Sequence, residues 1–186
     1  MNCLTKAATE ICRFMSDNSW EFCIIGGLAL QRWGEPRTTM DVDITLVTGW
    51  GEEAPYVDAL LDGFDSRMPD ARTFALENRI LLLRSTNGKD IDVALGALPF
   101  EHEMVRRAVP VEFAPGTMFP CCSAEDLFVM KAFAGRPRDW IDAESIVARQ
   151  TTLDTSYIIE QLSALASAVD NVAFLQQAQE ILKSAP

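Results

Sequence analysis

The sequence predicts an α/β (α+β) fold, a mixed β-sheet flanked by helices over residues 1–119, followed by a helical bundle over residues 120–186. Three observations carry this reading. The apolar run Phe22 to Ile25 ends on Gly26-Gly27, and Leu28, Ala29, Leu30 and Trp33 then recur at helical spacing, so the stretch reads strand, tight turn, helix. Asp41 to Leu46 and Asp90 to Leu95 alternate polar with apolar residues, the pattern of a half-buried strand. Near Ser123 the alternating pattern gives way to helical spacing, which separates the two regions.

Taken in order, Leu4, Ala7, Ala8, Ile11, Cys12, Phe14 and Met15 mark an amphipathic helix that stops near Asp17-Asn18-Ser19. The first strand and the helix after Gly26-Gly27 follow it. Gly49-Trp50-Gly51 closes the strand that begins at Asp41, and Tyr56, Val57, Leu60 and Leu61 predict a helix from Glu53 to Leu61, ended by Gly63. Ile80 to Ser85 and Asp90 to Leu95 flank Thr86-Asn87-Gly88-Lys89, and Asn-Gly between such runs is a strong hairpin signal. A two-residue turn at Asn87-Gly88 sets Asp92 opposite Leu83 and leaves Asp90 and Asp92 on one face. Asp90, near the hairpin end, reads as a solvated turn residue. Pro110 to Phe119 is proline-interrupted and β-like, a final strand or an irregular crossing.

Ser123-Ala124-Glu125-Asp126 resembles a capping box, after which Ala124, Leu127, Phe128, Lys131 and Ala134 share a helical face. Lys131 therefore lies in an apolar stripe and needs a counter-charge, from a triphosphate, a catalytic carboxylate or a structural partner, unless it snorkels to solvent. Gly135 and Pro137 mark the junction with a helix carrying Trp140, Ile141, Ala143, Ile146 and Val147, where Asp139 suits the positive end of the helix dipole. Amphipathic helices over about 154–166 and 169–183 complete the bundle.

Composition narrows the chemistry. The 186 residues, 48% hydrophobic, suffice for one catalytic unit with a good core. No apolar run long enough to span a bilayer occurs, and no basic segment leads into an apolar one at the N-terminus, so the expected location is the cytoplasm, with no membrane partner. Five cysteines without a Cys-x-x-Cys, and the single His102, give neither a disulfide framework nor a plausible zinc set. Any metal should be held by oxygen, which fits magnesium or manganese. A formal charge of −11 opposes broad non-specific binding to nucleic acid, though a local basic rim from Arg72, Arg79, Arg84, Arg136 and Arg138 is compatible with it.

Two stretches point to phosphate chemistry. A helix starting at a glycine pair offers unpaired backbone N–H groups and the positive end of its dipole, and glycine lets the main chain approach a phosphate. Asp41 and Asp43 sit on one face of their strand, with Cα atoms about 6.5 Å apart at strand rise, and such carboxylates can share divalent ions for in-line phosphoryl displacement. A third carboxylate is normally needed, and Asp92 is the candidate.

The Gly26-Gly27 turn followed by the Asp41-Val42-Asp43 strand resembles the signature of the DNA polymerase beta-type nucleotidyltransferase superfamily. The run Glu125 to Asp142, with Lys131, Arg136, Arg138 and Asp139, is similar to the second motif of AbiEii-like nucleotidyltransferases, which include toxins of toxin-antitoxin systems. Together the two blocks span about residues 20–145. The resemblance implies a nucleotidyltransferase core over residues 1–119 that transfers a nucleotide from a nucleoside triphosphate to an acceptor hydroxyl. It implies Asp41, Asp43 and Asp92 as ligands to Mg2+ or Mn2+, Gly26 and Gly27 as the phosphate cradle, and Arg37 and Lys131 as triphosphate contacts. RNA, in particular the tRNA 3′ end, is the favoured acceptor, and a cognate antitoxin protein is an expected partner. Gly27 departs from superfamily members that carry serine after the first glycine. The Arg37-Thr38 pair before the acidic strand is also similar to that of nucleotidyltransferases that inactivate antibiotics, so a small-molecule acceptor is the enzymatic alternative, and a non-catalytic antitoxin or binding module the other.

Overall fold

The computed structural model describes residues 2–185. The chain forms two compact units, Met1–Leu28 with Thr38–Cys122, and Ala29–Arg37 with Ser123–Pro186.

In the first unit, helix α1 (Cys3–Asp17) is capped by the Asn2 side chain, which accepts from the Thr5 amide at 2.8 Å. The spacing of its apolar residues places Leu4, Ala7, Ala8, Ile11, Cys12 and Met15 in the core. Among the described residues the sheet has seven strands in the order β3-β4-β5-β2-β1-β7-β6. These are β1 (Phe22–Ile24), β2 (Asp41–Val47), β3 (Asp65–Ser66), β4 (Ile80–Arg84), β5 (Asp90–Gly96), β6 (Val109–Ala114) and β7 (Thr117–Cys121). The sheet is mixed: β2 runs parallel to β5, β1 is antiparallel to β2 and parallel to β7, and the other pairs are antiparallel.

One face of this sheet is core. Val42, Ile44, Leu46, Leu81, Leu83, Ile91 and Val93 are fully buried and join one cluster with residues of α1, α3 (Ala54–Gly63) and α4 (Ala71–Asn78). Burying such a side chain contributes roughly 1.5–3 kcal/mol. A slip of one residue in β2 or β5 would send aspartates into that core, so the alternation pins the register and holds Asp41, Asp43, Asp90 and Asp92 on the opposite face.

The β4–β5 hairpin departs from the expected register. Asp92 pairs with Leu82, and Asp90 with Arg84, one residue away from the pairing a two-residue Asn87-Gly88 turn would give. Ser85 and Lys89 close the loop instead, with the Ser85 amide donating to Lys89 O at 2.9 Å and the Gly88 amide to Ser85 O at 2.9 Å. The Ser85 hydroxyl also donates to Lys89 O and accepts from the Lys89 amide, which favours this three-residue loop with Gly88 at φ +79°. Asp90 and Asp92 share a face in either register.

The stretch expected as one strand or a crossing is a hairpin, β6 and β7, turned at Gly116 with φ +72°. Pro110 is accommodated because β6 is an edge strand. Strand β3 and helices α4 and α5 (Pro99–Arg106) have no counterpart in the sequence reading. The first is two residues long, too short to establish a period.

The second unit consists of the end of α2 (Gly26–Trp33), residues 34–37, and helices α6 (Ala124–Ala134), α7 (Pro137–Arg149), α8 (Thr155–Val169) and α9 (Ala173–Leu182). The Ser123 hydroxyl caps α6 by accepting from the Asp126 amide at 3.1 Å, and Gly135, at φ +63°, ends it before Pro137 starts α7. Helix α6 is buried on more than the expected face: Asp126, Val129 and Ala132 are enclosed, whereas Ala134 is exposed. The α8 helix runs to Val169 rather than Ala166, because Asp170 takes the left-handed conformation that ends it. Among the described residues no helix is long and apolar enough to cross a membrane.

Candidate active site

The parallel register of β2 and β5 sets Asp43 beside Asp92 and Asp41 beside Asp90. Strand alternation turns all four to the face away from the core. Asp41, Asp43 and Asp92 each offer a carboxylate oxygen within 4.8 Å of the others, and all three remain partly accessible.

The glycine pair is fitted against this cluster. Gly26 has φ +62°, and a Cβ there would overlap the Asp43 carboxylate. A Cβ at Gly27 would overlap the hydroxyl and Cβ of Thr39. The Gly27 amide, in the first turn of α2, donates to Asp43 Oδ2 at 3.3 Å, so an N–H of the helix start already faces a negative oxygen. Thr39 in turn donates its hydroxyl to Asp41 Oδ1 at 2.9 Å. The serine that Gly27 replaces would compete for the space Thr39 fills.

The cluster is only partly neutralised. Arg67, just after β3, contacts Asp90 Oδ2 at 2.9 Å through Nη1 and Asp92 Oδ1 through Nη2. Arg84 reaches Asp90 Oδ1 at 3.3 Å. Burial pushes the Asp92 carboxyl above its ordinary range, and the charges of Asp41 and Asp90 push the same way against Arg67. Asp90 is also penalised by burial, but Arg67 and Arg84 outweigh that and hold it below the ordinary range. Clustered hard oxygens, one of them driven toward protonation by burial and by its acidic neighbours, suit a divalent cation of the magnesium or manganese type.

Lys131 and Arg37 meet in the helical unit. Lys131, 9% exposed, places its ammonium 3.0 Å from Asp139 Oδ1 and 2.8 Å from Asp142 Oδ2. Arg37 binds Asp142 with both arms of its guanidinium, Nε to Oδ1 at 3.0 Å and Nη2 to Oδ2 at 3.0 Å. Burial pushes the Asp142 carboxyl up, yet the hydrogen bonds from Arg37 and Lys131 outweigh it and hold it below the ordinary range. The counter-charge that Lys131 needs is thus supplied by its own unit.

Residues 16–183 match the family described as "Nucleotidyl transferase AbiEii toxin, Type IV TA system". The chain belongs to the AbiEii nucleotidyltransferase family. Solved structures share its fold at low identity. An antigenic nucleotidyltransferase-like protein from Paracoccidioides brasiliensis superposes with TM-score 0.56 at 14% identity, over 97% of this chain and 92% of that one. The antibiotic-resistance factor ANT(2'')-Ia gives 0.55 at 18%, over 89% and 92%. The lincosamide antibiotic adenylyltransferase LnuA gives 0.51 at 14%, over 78% and 98%. No curated protein matches the chain. This AbiEii member is accordingly a nucleotidyltransferase built on the mixed-sheet fold that the sequence predicts.

Some residues around the acidic cluster escape a reading of the AbiEii chain by motif. Arg67 lies in no periodic segment and reaches the cluster only because the short β3 pairs with β4. Thr39 stands two residues before the acidic pair, and that closeness was the one available signal. The expected basic rim is largely spent on internal contacts. Arg72 pairs with Asp58, Arg84 with Asp90, and Arg79 with Glu53 and with Leu95 O at 2.9 Å, while also stacking on Trp50 at 4.3 Å. Arg136 lies 3.6 Å from Asp139 Oδ2 with a largely exposed side chain.

Proposed function

We propose that this AbiEii nucleotidyltransferase moves a nucleotide from a nucleoside triphosphate to a hydroxyl of RNA, with the tRNA 3′ end as the favoured acceptor, using Mg2+ or Mn2+ held by Asp41, Asp43 and Asp92. The observation that carries the metal-dependent transfer is the convergence of the three carboxylates within 4.8 Å on neighbouring strands. A divalent ion there would supply Lewis-acid stabilisation of the charge that develops on the transferring phosphoryl oxygens.

The chain's own residues do the rest. Backbone amides of the Gly26-Gly27 turn and the start of α2 favour a phosphate, and the absence of Cβ atoms keeps the approach open. Thr39 fixes Asp41, and the Gly27 amide fixes Asp43, so both carboxylates are preorganised before substrate arrives. Asp92, beside Asp43 on the neighbouring strand, is the carboxylate assigned to accept the proton of an acceptor hydroxyl. Lys131 and Arg37 are assigned to the triphosphate, sharing their charge with Asp142. A cognate antitoxin protein is the proposed partner, on the family's toxin-antitoxin description.

The test is incubation of the full chain with labelled triphosphates, Mg2+ and purified tRNA across a salt series, with charge reversal at Arg136 and Arg138. Label on tRNA that falls steeply with salt and with the reversals is expected. Label on a small molecule or a protein, with tRNA untouched at low salt, overturns the acceptor and leaves the transfer chemistry standing. A small-molecule acceptor is the second reading. It is favoured by the net charge of −11 and by the internal pairing of Arg72, Arg79 and Arg84.

A further inference from the structure

Arg67 is placed by backbone, not by chance of side-chain reach. Its amide donates to Leu82 O at 3.0 Å, extending the β3–β4 pairing by one residue, and from there the guanidinium bridges Asp90 and Asp92. The side chain is 18% exposed, and its Nε is buried with no hydrogen-bond partner. A guanidinium does not lose its proton in a protein, so this is a fixed positive charge on one member of the acidic cluster. Asp41 accepts from the Thr39 hydroxyl and Asp43 from the Gly27 amide.

We propose that Arg67 is the resident counter-ion of Asp92, which weakens the cluster's hold on a free divalent cation and so ties cation loading to arrival of the negatively charged triphosphate. This rests on the assignment of Asp41, Asp43 and Asp92 as the metal site. A cation that takes an Asp92 oxygen must either displace Arg67 or sit close to its charge, and like charges at such separations repel strongly in a partly buried site. The triphosphate reverses the balance by bringing its own negative charge, to which both the cation and the released guanidinium can turn. The unpartnered Nε supports this, because the present contacts leave one donor free for an incoming oxygen.

The test is Mn2+ binding to the full chain, read by the electron paramagnetic resonance of free Mn2+, with and without a non-hydrolysable triphosphate analogue. The wild type is expected to bind Mn2+ weakly alone and at least about tenfold more tightly with the analogue. Arg67→Gln is expected to bind Mn2+ alone about tenfold more tightly than wild type and to lose most of the gain from the analogue. Arg67→Lys, which keeps the charge, should stay near the wild type. Arg84→Gln, whose side chain is 51% exposed and touches Asp90, should change Mn2+ affinity by no more than about twofold. Equal or weaker Mn2+ binding by a natively folded Arg67→Gln overturns the proposal. Should that variant not fold, a wild type whose Mn2+ affinity is unchanged by the analogue overturns it as well. If wild type and Asp43→Asn bind Mn2+ equally poorly in both conditions, the metal site itself is wrong and the proposal falls with it.

Discussion

Two charged clusters in this protein differ in how their charges are balanced. On the sheet, Asp41, Asp43, Asp90 and Asp92 face Arg67 and Arg84, so carboxylates outnumber cations. In the helical unit, Lys131 and Arg37 meet Asp139 and Asp142, and charge is matched by charge in bidentate or buried contacts. The first arrangement crowds like charges, and a cation placed among them would relieve that cost. In the second, Asp139 and Asp142 already answer the cations, although Asp139 Oδ2 is buried without a hydrogen bond. A buried lysine near a functional motif therefore needs a second test before it is given to a substrate, because Asp139 and Asp142 already meet its charge.

Removing a carboxylate from each cluster should sharpen this contrast. Asp43→Asn or Asp92→Asn is expected to cut incorporation of labelled nucleotide at least about 100-fold while leaving the melting temperature unchanged or slightly raised, since each relieves like-charge crowding. Retained activity in both variants would remove the metal assignment. Lys131→Ala should do the opposite in kind. It leaves Asp139 and Asp142 short of a buried cation and should destabilise the fold by about 3 kcal/mol, a fall in melting temperature of roughly 6–12 °C. The proposed triphosphate role adds a raised KM for the nucleotide; a lowered melting temperature with KM unmoved would make Lys131 structural alone.

Gly26→Ala probes the seam of the acidic cluster with a smaller effect. Its φ of +62° and the overlap of an added Cβ with the Asp43 carboxylate predict a loss of about 1–3 kcal/mol in urea unfolding, together with reduced transfer. Gly27→Ser should cost about 1 kcal/mol by displacing Thr39 from Asp41. If Gly27→Ser is neutral in both stability and transfer, Thr39 does not position Asp41.

The same two clusters show what could be read in advance. Asp41, Asp43 and Asp92 were legible because strand alternation is a strict period of two, and a buried face fixes which residues lie opposite it. The hairpin register was misjudged by one residue without consequence for the face, since Asp90 and Asp92 move together. Arg67 was not legible, because its position depends on a two-residue strand whose pairing is set by the tertiary fold and not by local pattern. The burial of Lys131 was visible in its apolar stripe, but its partners on the next helix were not. Asp139 and Asp142 could equally have faced solvent until α7 was placed.

The smallest expected effect is on pH dependence, and the two clusters should show it with opposite sign. The Asp142 carboxyl sits below its ordinary range in the folded chain, so the native state holds fewer protons there than the unfolded one. Its stabilising contribution is therefore present above the unfolded value, near 3.9, and lost as pH falls through the lower folded value. Asp92 is raised, so the native state holds more protons there; that contribution is present below about 3.9 and lost as pH rises through the higher folded value. Urea midpoints measured from pH 3 to pH 7 should thus show the gap between wild type and Asp142→Asn widening with pH. Asp92→Asn, which is neutral throughout, should gain on wild type over the same range. Parallel curves for all three proteins would mean that neither carboxyl is coupled to folding, and the contrast between a strained cluster and a balanced one would lose its energetic basis.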